Sequence, residues 1–204
     1  MLMSLKKDNP VKITHALIYF MFLSYDFWRI LLPIMGGGLA GTIYYFYNSI
    51  IIFITIYSVI FVFAFRKVNY ILISWILIIL VVSFSTYYHG DNLYFIMRRF
   101  CRGTGFVFFV QMHAKKLKQE LRTIYATVTI IIILNAASMV MFPHGFYVFG
   151  ENNEVAWFLG KQGFFLIYLI AYVLGFIFWN EKLMRKRIIS LGVIMLLTML
   201  WAFP

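Results

Sequence analysis

Seven apolar runs, most of them close to twenty residues long, recur along this chain of 204 residues, separated by short polar segments. They cover 13–33, 43–65, 70–88, 93–112, 123–142, 163–179 and 188–204. A helix rises about 1.5 Å per residue, so about 20 residues cross the ~30 Å hydrocarbon layer of a bilayer. Many of the runs are rich in Ile, Val, Phe and Tyr, which in water favour strands. Their length and lack of alternation argue against a barrel, whose strands need about ten residues of alternating polarity. In lipid a helix closes its own backbone hydrogen bonds. Composition points the same way: 63% of residues are hydrophobic, 12% are charged, and mean hydropathy is +0.88. One water-soluble core could not hide that much apolar surface. The expected fold class is all-α, a polytopic membrane protein of about seven transmembrane helices forming a single domain over 1–204.

Basic residues orient the spans. With the N-terminus inside, the inner segments are 1–12, 66–69, 113–122 and 180–187, with three, two, four and four Lys or Arg, thirteen in all. The outer segments 34–42, 89–92 and 143–162 carry one, Lys161. That bias follows the positive-inside rule and uses every span. It also places the +11 net charge at a membrane surface, so membrane lipids are expected partners and nucleic acid is not. Tyr44, Tyr45, Tyr47, Tyr87, Tyr88, Tyr94 and Trp201 fall near the expected outer boundary, where amphipathic rings prefer to sit. The first span follows Lys6, Lys7 and Lys12 and ends in Leu32-Pro33 without a small-x-small cleavage pattern, so it reads as a signal anchor. Gly36-Gly37-Gly38 with Gly41 reads as an outer turn, and 143–162, opened by Pro143 and Gly145, as the one long external loop. The only cysteine, Cys101, excludes an intrachain disulfide and a multi-cysteine metal site. No metal and no cofactor are expected.

Charges at membrane depth point to function. Arg98, Arg99 and Arg102 lie in the span 93–112, which contains no Asp or Glu. Arg98 and Arg102 are four apart and share a helix face. Such a cluster suits an anionic ligand, and phosphate matches the fork of a guanidinium. The alternative is a helix lying flat at the interface with its arginines reaching to headgroups. Asp26 and Arg29, three apart, could pair on one face, or Asp26 could balance a later arginine. His144 and Lys161 are further outer-face candidates. The sequence has no H-E-x-x-H, G-x-S-x-G or paired-carboxylate motif.

The stretch Asn135-Ala-Ala-Ser138-Met-Val-Met-Phe142-Pro143-His-Gly145-Phe146-Tyr147, followed by Trp157-Phe158-Leu159-Gly160-Lys161-Gln162, resembles the Wzy-type polysaccharide polymerases of the O-antigen ligase/polymerase family, particularly those of capsule and exopolysaccharide clusters. There an N-x-x-S helix ends in F-P-x-G, and a loop leads to a W-F-L-G-N-K-N-like turn. This chain has Lys161-Gln162-Gly163 where the family shows N-K-N. The resemblance covers about residues 130–180. It implies a glycosyltransferase-type enzyme at the outer face of the bacterial cytoplasmic membrane, joining undecaprenyl-diphosphate-linked oligosaccharide repeat units without metal or nucleotide sugar. Family members are longer, with a large external loop in the second half that carries arginine and histidine. The resemblance therefore implies an N-terminal portion, incomplete or inactive alone, with a second polymerase half or export-complex proteins as partners. The rival classes are a transporter or flippase component for lipid-linked sugars, and a non-catalytic membrane partner.

Overall fold

A computed structural model describes residues 12–24, 32–65, 70–88, 93–145, 147–149, 154–159 and 161–202. Among them are seven α-helices: α1 (Ile13–Leu23), α2 (Leu32–Phe65), α3 (Tyr70–Tyr88), α4 (Leu93–Met112), α5 (Leu117–Met141), α6 (Lys161–Ile177) and α7 (Lys182–Ala202). A 3₁₀ turn, Ala114–Lys116, leads into α5. The fold is all-helical apart from a small antiparallel hairpin inside 143–162. There β1 (Tyr147–Phe149) pairs with β2 (Glu154–Ala156), with Val148 opposite Val155. Two segments are long and apolar enough to cross a membrane, Gly41–Phe65 and Ala114–Met141. Ile13–Leu23, Leu72–Ser85 and Phe165–Ile177 are shorter apolar stretches.

The helices α5 and α7 begin at Leu117 and Lys182, ahead of the expected 123 and 188, and the departures are larger at two other points. The helix expected over 13–33 stops at Leu23. Both the amide and the hydroxyl of Ser24 donate to the Phe20 carbonyl, at 2.8 and 2.5 Å, and Ser24 leaves helical geometry with ψ at 66°. A serine hydroxyl that competes for the backbone is a common reason for a helix to end. The eleven residues of α1 reach about 16 Å, roughly half a hydrocarbon layer. The expected turn at Gly36–Gly38 and Gly41 is also absent: α2 runs through all four glycines. Glycine costs a helix about 1 kcal/mol relative to alanine. Apolar flanks with little water to satisfy an open backbone reverse that preference. Pro33 lies in the first turn of α2, where its missing N–H is not needed, and the Thr42 hydroxyl donates to the Gly38 carbonyl at 3.1 Å.

The single domain expected from the sequence divides into two compact units, 1–44 with 121–204, and 45–120. In the unit 45–120, α3 packs on α4. Its core is Val62, Leu72 and Phe108, flanked by Val59, Trp75, Ile76, Val107 and Met112. Gly103 permits the close approach of α3, because a Cβ there would stand 2.9 Å from Trp75 Cζ2. The Trp75 indole N–H reaches the Thr104 hydroxyl at 3.4 Å. The Thr55 hydroxyl donates to the Cys101 carbonyl at 3.0 Å, tying α2 to α4.

In the other unit, Ile131, Ile132, Ile167, Ala171 and Leu174 are buried between α5 and its neighbours, α6 packs on α7, and Tyr125 meets Phe178 edge-on. At the turn between α6 and α7, Glu181 accepts two hydrogen bonds from Arg122 Nη2, both at 3.0 Å. The opposite faces of α6 and α7 leave Phe165, Tyr172, Phe176, Leu196, Leu197 and Leu200 exposed.

Candidate functional site

A charged side chain is costly to bury unless it is given partners. Arg102 is buried and has them. It lies on α4 and is 5% exposed, and its Nη2 donates to Asn48 Oδ1 on α2 at 2.8 Å. The guanidinium carbon stands 5.4 Å from the centre of the Tyr47 ring, within range of a cation–π contact. Asn48, one residue after Tyr47, is itself buried. A guanidinium has five N–H donors, and one of its nitrogens is fixed here by the Asn48 amide oxygen. Neither Tyr47 nor Asn48 emerged as a site residue from the sequence. The available signal was an amide in an otherwise apolar helix, the same kind of signal that singled out the arginines.

The remaining sequence candidates do not join Arg102 in the described geometry. Arg98 and Arg99 fall in α4, one turn before Arg102, but their side chains lie outside the described residues, as does that of Lys161 in α6. Asp26 and Arg29 lie outside the described residues altogether. His144 is exposed in a tight turn after α5. The turn is closed by the Gly145 amide donating to the Phe142 carbonyl at 2.9 Å. Pro143 presets its second position, and Gly145 takes φ of 90°, which a side chain would resist.

The N-x-x-S and W-F-L stretches form a second polar cluster, at the outer end expected for α5. Asn135 is fully buried, and its Oδ1 accepts the Leu159 amide at 2.8 Å. Ser138 Oγ accepts the Phe158 amide at 2.9 Å and donates to the Asn135 carbonyl at 2.7 Å. The Trp157 indole N–H donates to the Phe142 carbonyl at 2.8 Å, near the end of α5. Trp157, Phe158 and Leu159 are all buried. Two side chains on one face of α5 thus satisfy two amides that burial would otherwise leave unpaired, and the indole adds a second donor to a carbonyl that already accepts the Gly145 amide. The Tyr168 hydroxyl of α6 reaches both Asn135 and the Thr198 hydroxyl of α7. The cluster therefore clamps the returning loop to α5 and links three helices. Its members are occupied with one another, which makes it a scaffold, and the buried charge at Arg102 is, among the described residues, the stronger candidate for binding an anion.

Fold and sites together define a mainly helical protein with, among the described residues, two helices long and apolar enough to cross a membrane and a buried cation. The chain matches no family model, no curated protein and no solved structure.

Proposed function

We propose that the chain is a multi-pass protein of the bacterial cytoplasmic membrane, with its N-terminus inside, that holds the diphosphate of a lipid-linked oligosaccharide. In this reading it is the donor-binding part of a Wzy-type polysaccharide polymerase. The observation that carries it is Arg102: a guanidinium buried on a helix whose sequence has no acidic residue, beside the Asn48 amide and the Tyr47 ring. Cationic groups beside a diphosphate leaving group stabilise the charge that develops as the glycosidic bond breaks. The exposed apolar faces of α6 and α7 support lipid as the surrounding solvent. Thirteen basic residues on one side against one on the other support the orientation, and the Asn135–Ser138 clamp supports the likeness to the polymerase motif.

The test is direct. Purified chain in nanodiscs is given a lipid-linked repeat unit, and its binding and products are followed separately. The expected result is weak binding of the lipid diphosphate, lost in Arg98→Gln/Arg102→Gln, with no ladder of longer glycans from this chain alone. Binding that is indifferent to both arginines would refute the donor-site reading and leave a non-catalytic membrane partner. A glycan ladder would show instead that the chain polymerises by itself.

A further inference from the structure

Between α6 and α7 lies a crevice of about 320 Å³ walled by Tyr125, Gly175, Trp179, Ile188, Gly192 and Met195 among others. That is the size of a small-molecule pocket. Almost every wall is apolar; the polar groups of its side chains are the hydroxyls of Tyr125 and Tyr172 and the indole N–H of Trp179. Tyr125 is 4% exposed, and its hydroxyl has no hydrogen-bond partner among the described residues. The Thr129 hydroxyl one turn on is directed to the Tyr125 carbonyl, at 2.8 Å. A buried phenol left in this state costs free energy that a ligand with an acceptor oxygen would recover.

One end of the crevice opens at the turn between the two helices. Trp179 forms part of the wall there, and Arg185 stacks on its ring at 4.9 Å. Segment 180–187 holds Lys182, Arg185, Lys186 and Arg187 against one carboxylate, Glu181, which Arg122 already engages with two hydrogen bonds. Arg185 and Lys186 are exposed, and Ile188, the residue after Arg187, lines the crevice. An apolar slot, a buried hydroxyl and an excess of cations at one mouth match the three parts of one molecule: acyl chain, ester oxygens and phosphate. We infer that the α6–α7 crevice binds an anionic phospholipid of the inner leaflet. The acyl chain lies along Gly192, where the space is open, an ester oxygen faces Tyr125, and the headgroup phosphate sits among Arg185, Lys186 and Arg187. Basic clusters at the cytoplasmic face select such lipids.

The inference rests on the membrane reading above but not on the polymerase reading. The experiment uses the whole chain in nanodiscs containing phosphatidylglycerol or phosphatidylcholine, each with a photoreactive group on one acyl chain. Cross-linked peptides are mapped by mass spectrometry. Phosphatidylglycerol is expected to label α6 and α7 peptides, and phosphatidylcholine to label them about tenfold less. Gly192→Leu should abolish the labelling. A Cβ at 192 meets nothing within 4 Å, so the larger side chain fills the slot without disturbing the backbone. Arg185→Gln/Arg187→Gln, made at the rim, should reduce it roughly 25-fold, since each basic residue at an anionic surface contributes about a factor of five. Equal labelling by both lipids, or labelling that survives Gly192→Leu, would overturn the inference while leaving the membrane reading intact. A chain that cannot be reconstituted into discs would overturn both.

Discussion

Replacing Asn135 by leucine removes the central link of the α5 clamp while keeping the number and branching of the side-chain heavy atoms. Two groups then lose a partner in a buried place. The Leu159 amide, at 2.8 Å from Oδ1 in the native protein, is left on a residue that is 2% exposed, and an unsatisfied buried donor costs about 1–3 kcal/mol. The Tyr168 hydroxyl keeps Thr198, so its loss is smaller, about 0.5–1 kcal/mol. The clamp should therefore open with a free energy lower by about 2–3 kcal/mol, which corresponds to roughly 30- to 150-fold more frequent opening. Hydrogen exchange measured on peptides covering 157–159, in detergent and in nanodiscs, reads that frequency. Ser138→Ala alone should release the Phe158 amide by about 1 kcal/mol, and the double variant should show coupling, because Ser138 also donates to the Asn135 carbonyl. Exchange at 157–159 that is unchanged in Asn135→Leu, or that rises equally in α3, would refute the reasoning. In that case the loop is held by packing of Trp157 and Phe158 and not by the two side chains of α5.

Three other outcomes are expected. Gly103→Ala forces a methyl against Trp75 and should destabilise the α3–α4 pair by about 1–3 kcal/mol, visible as a lower thermal midpoint; an unchanged midpoint would show that the indole moves aside freely. Gly41→Ala should stabilise α2 by about 0.5–1 kcal/mol, since the glycine is helical and has open space around it; destabilisation would show that this position requires glycine. With Cys101→Ala as background, a cysteine at His144 should react with an impermeant thiol reagent in intact cells and one at Lys116 should not; the reverse pattern would invert the proposed topology. Both positions are exposed, so access to the aqueous side decides the result.

Helix number and order were legible in the sequence. A helix closes its own hydrogen bonds within four residues, so a long apolar run determines its own secondary structure. All seven runs contain a helix, and α3 and α4 keep the bounds 70–88 and 93–112. The helix ends were less legible. Whether Ser24 stops α1 and whether Gly36–Gly38 turn or stay helical depend on how well water or neighbouring side chains satisfy the local backbone, which a run of residue types does not record. The fate of individual polar groups was decided by the tertiary structure alone. Arg102 was conspicuous as a charge in an apolar run, but its partner Asn48 is 54 residues away. Asn135 and Ser138 were conspicuous as a motif, yet their task, to satisfy amides 24 and 20 residues further on, exists only once the loop has returned to α5. The crevice depends on small residues meeting across two helices, Gly175 and Gly192 with Tyr125 of a third. Backbone hydrogen bonding is local and is written into each segment; burial, pairing and cavities belong to pairs of segments, and the chain forms those only by folding.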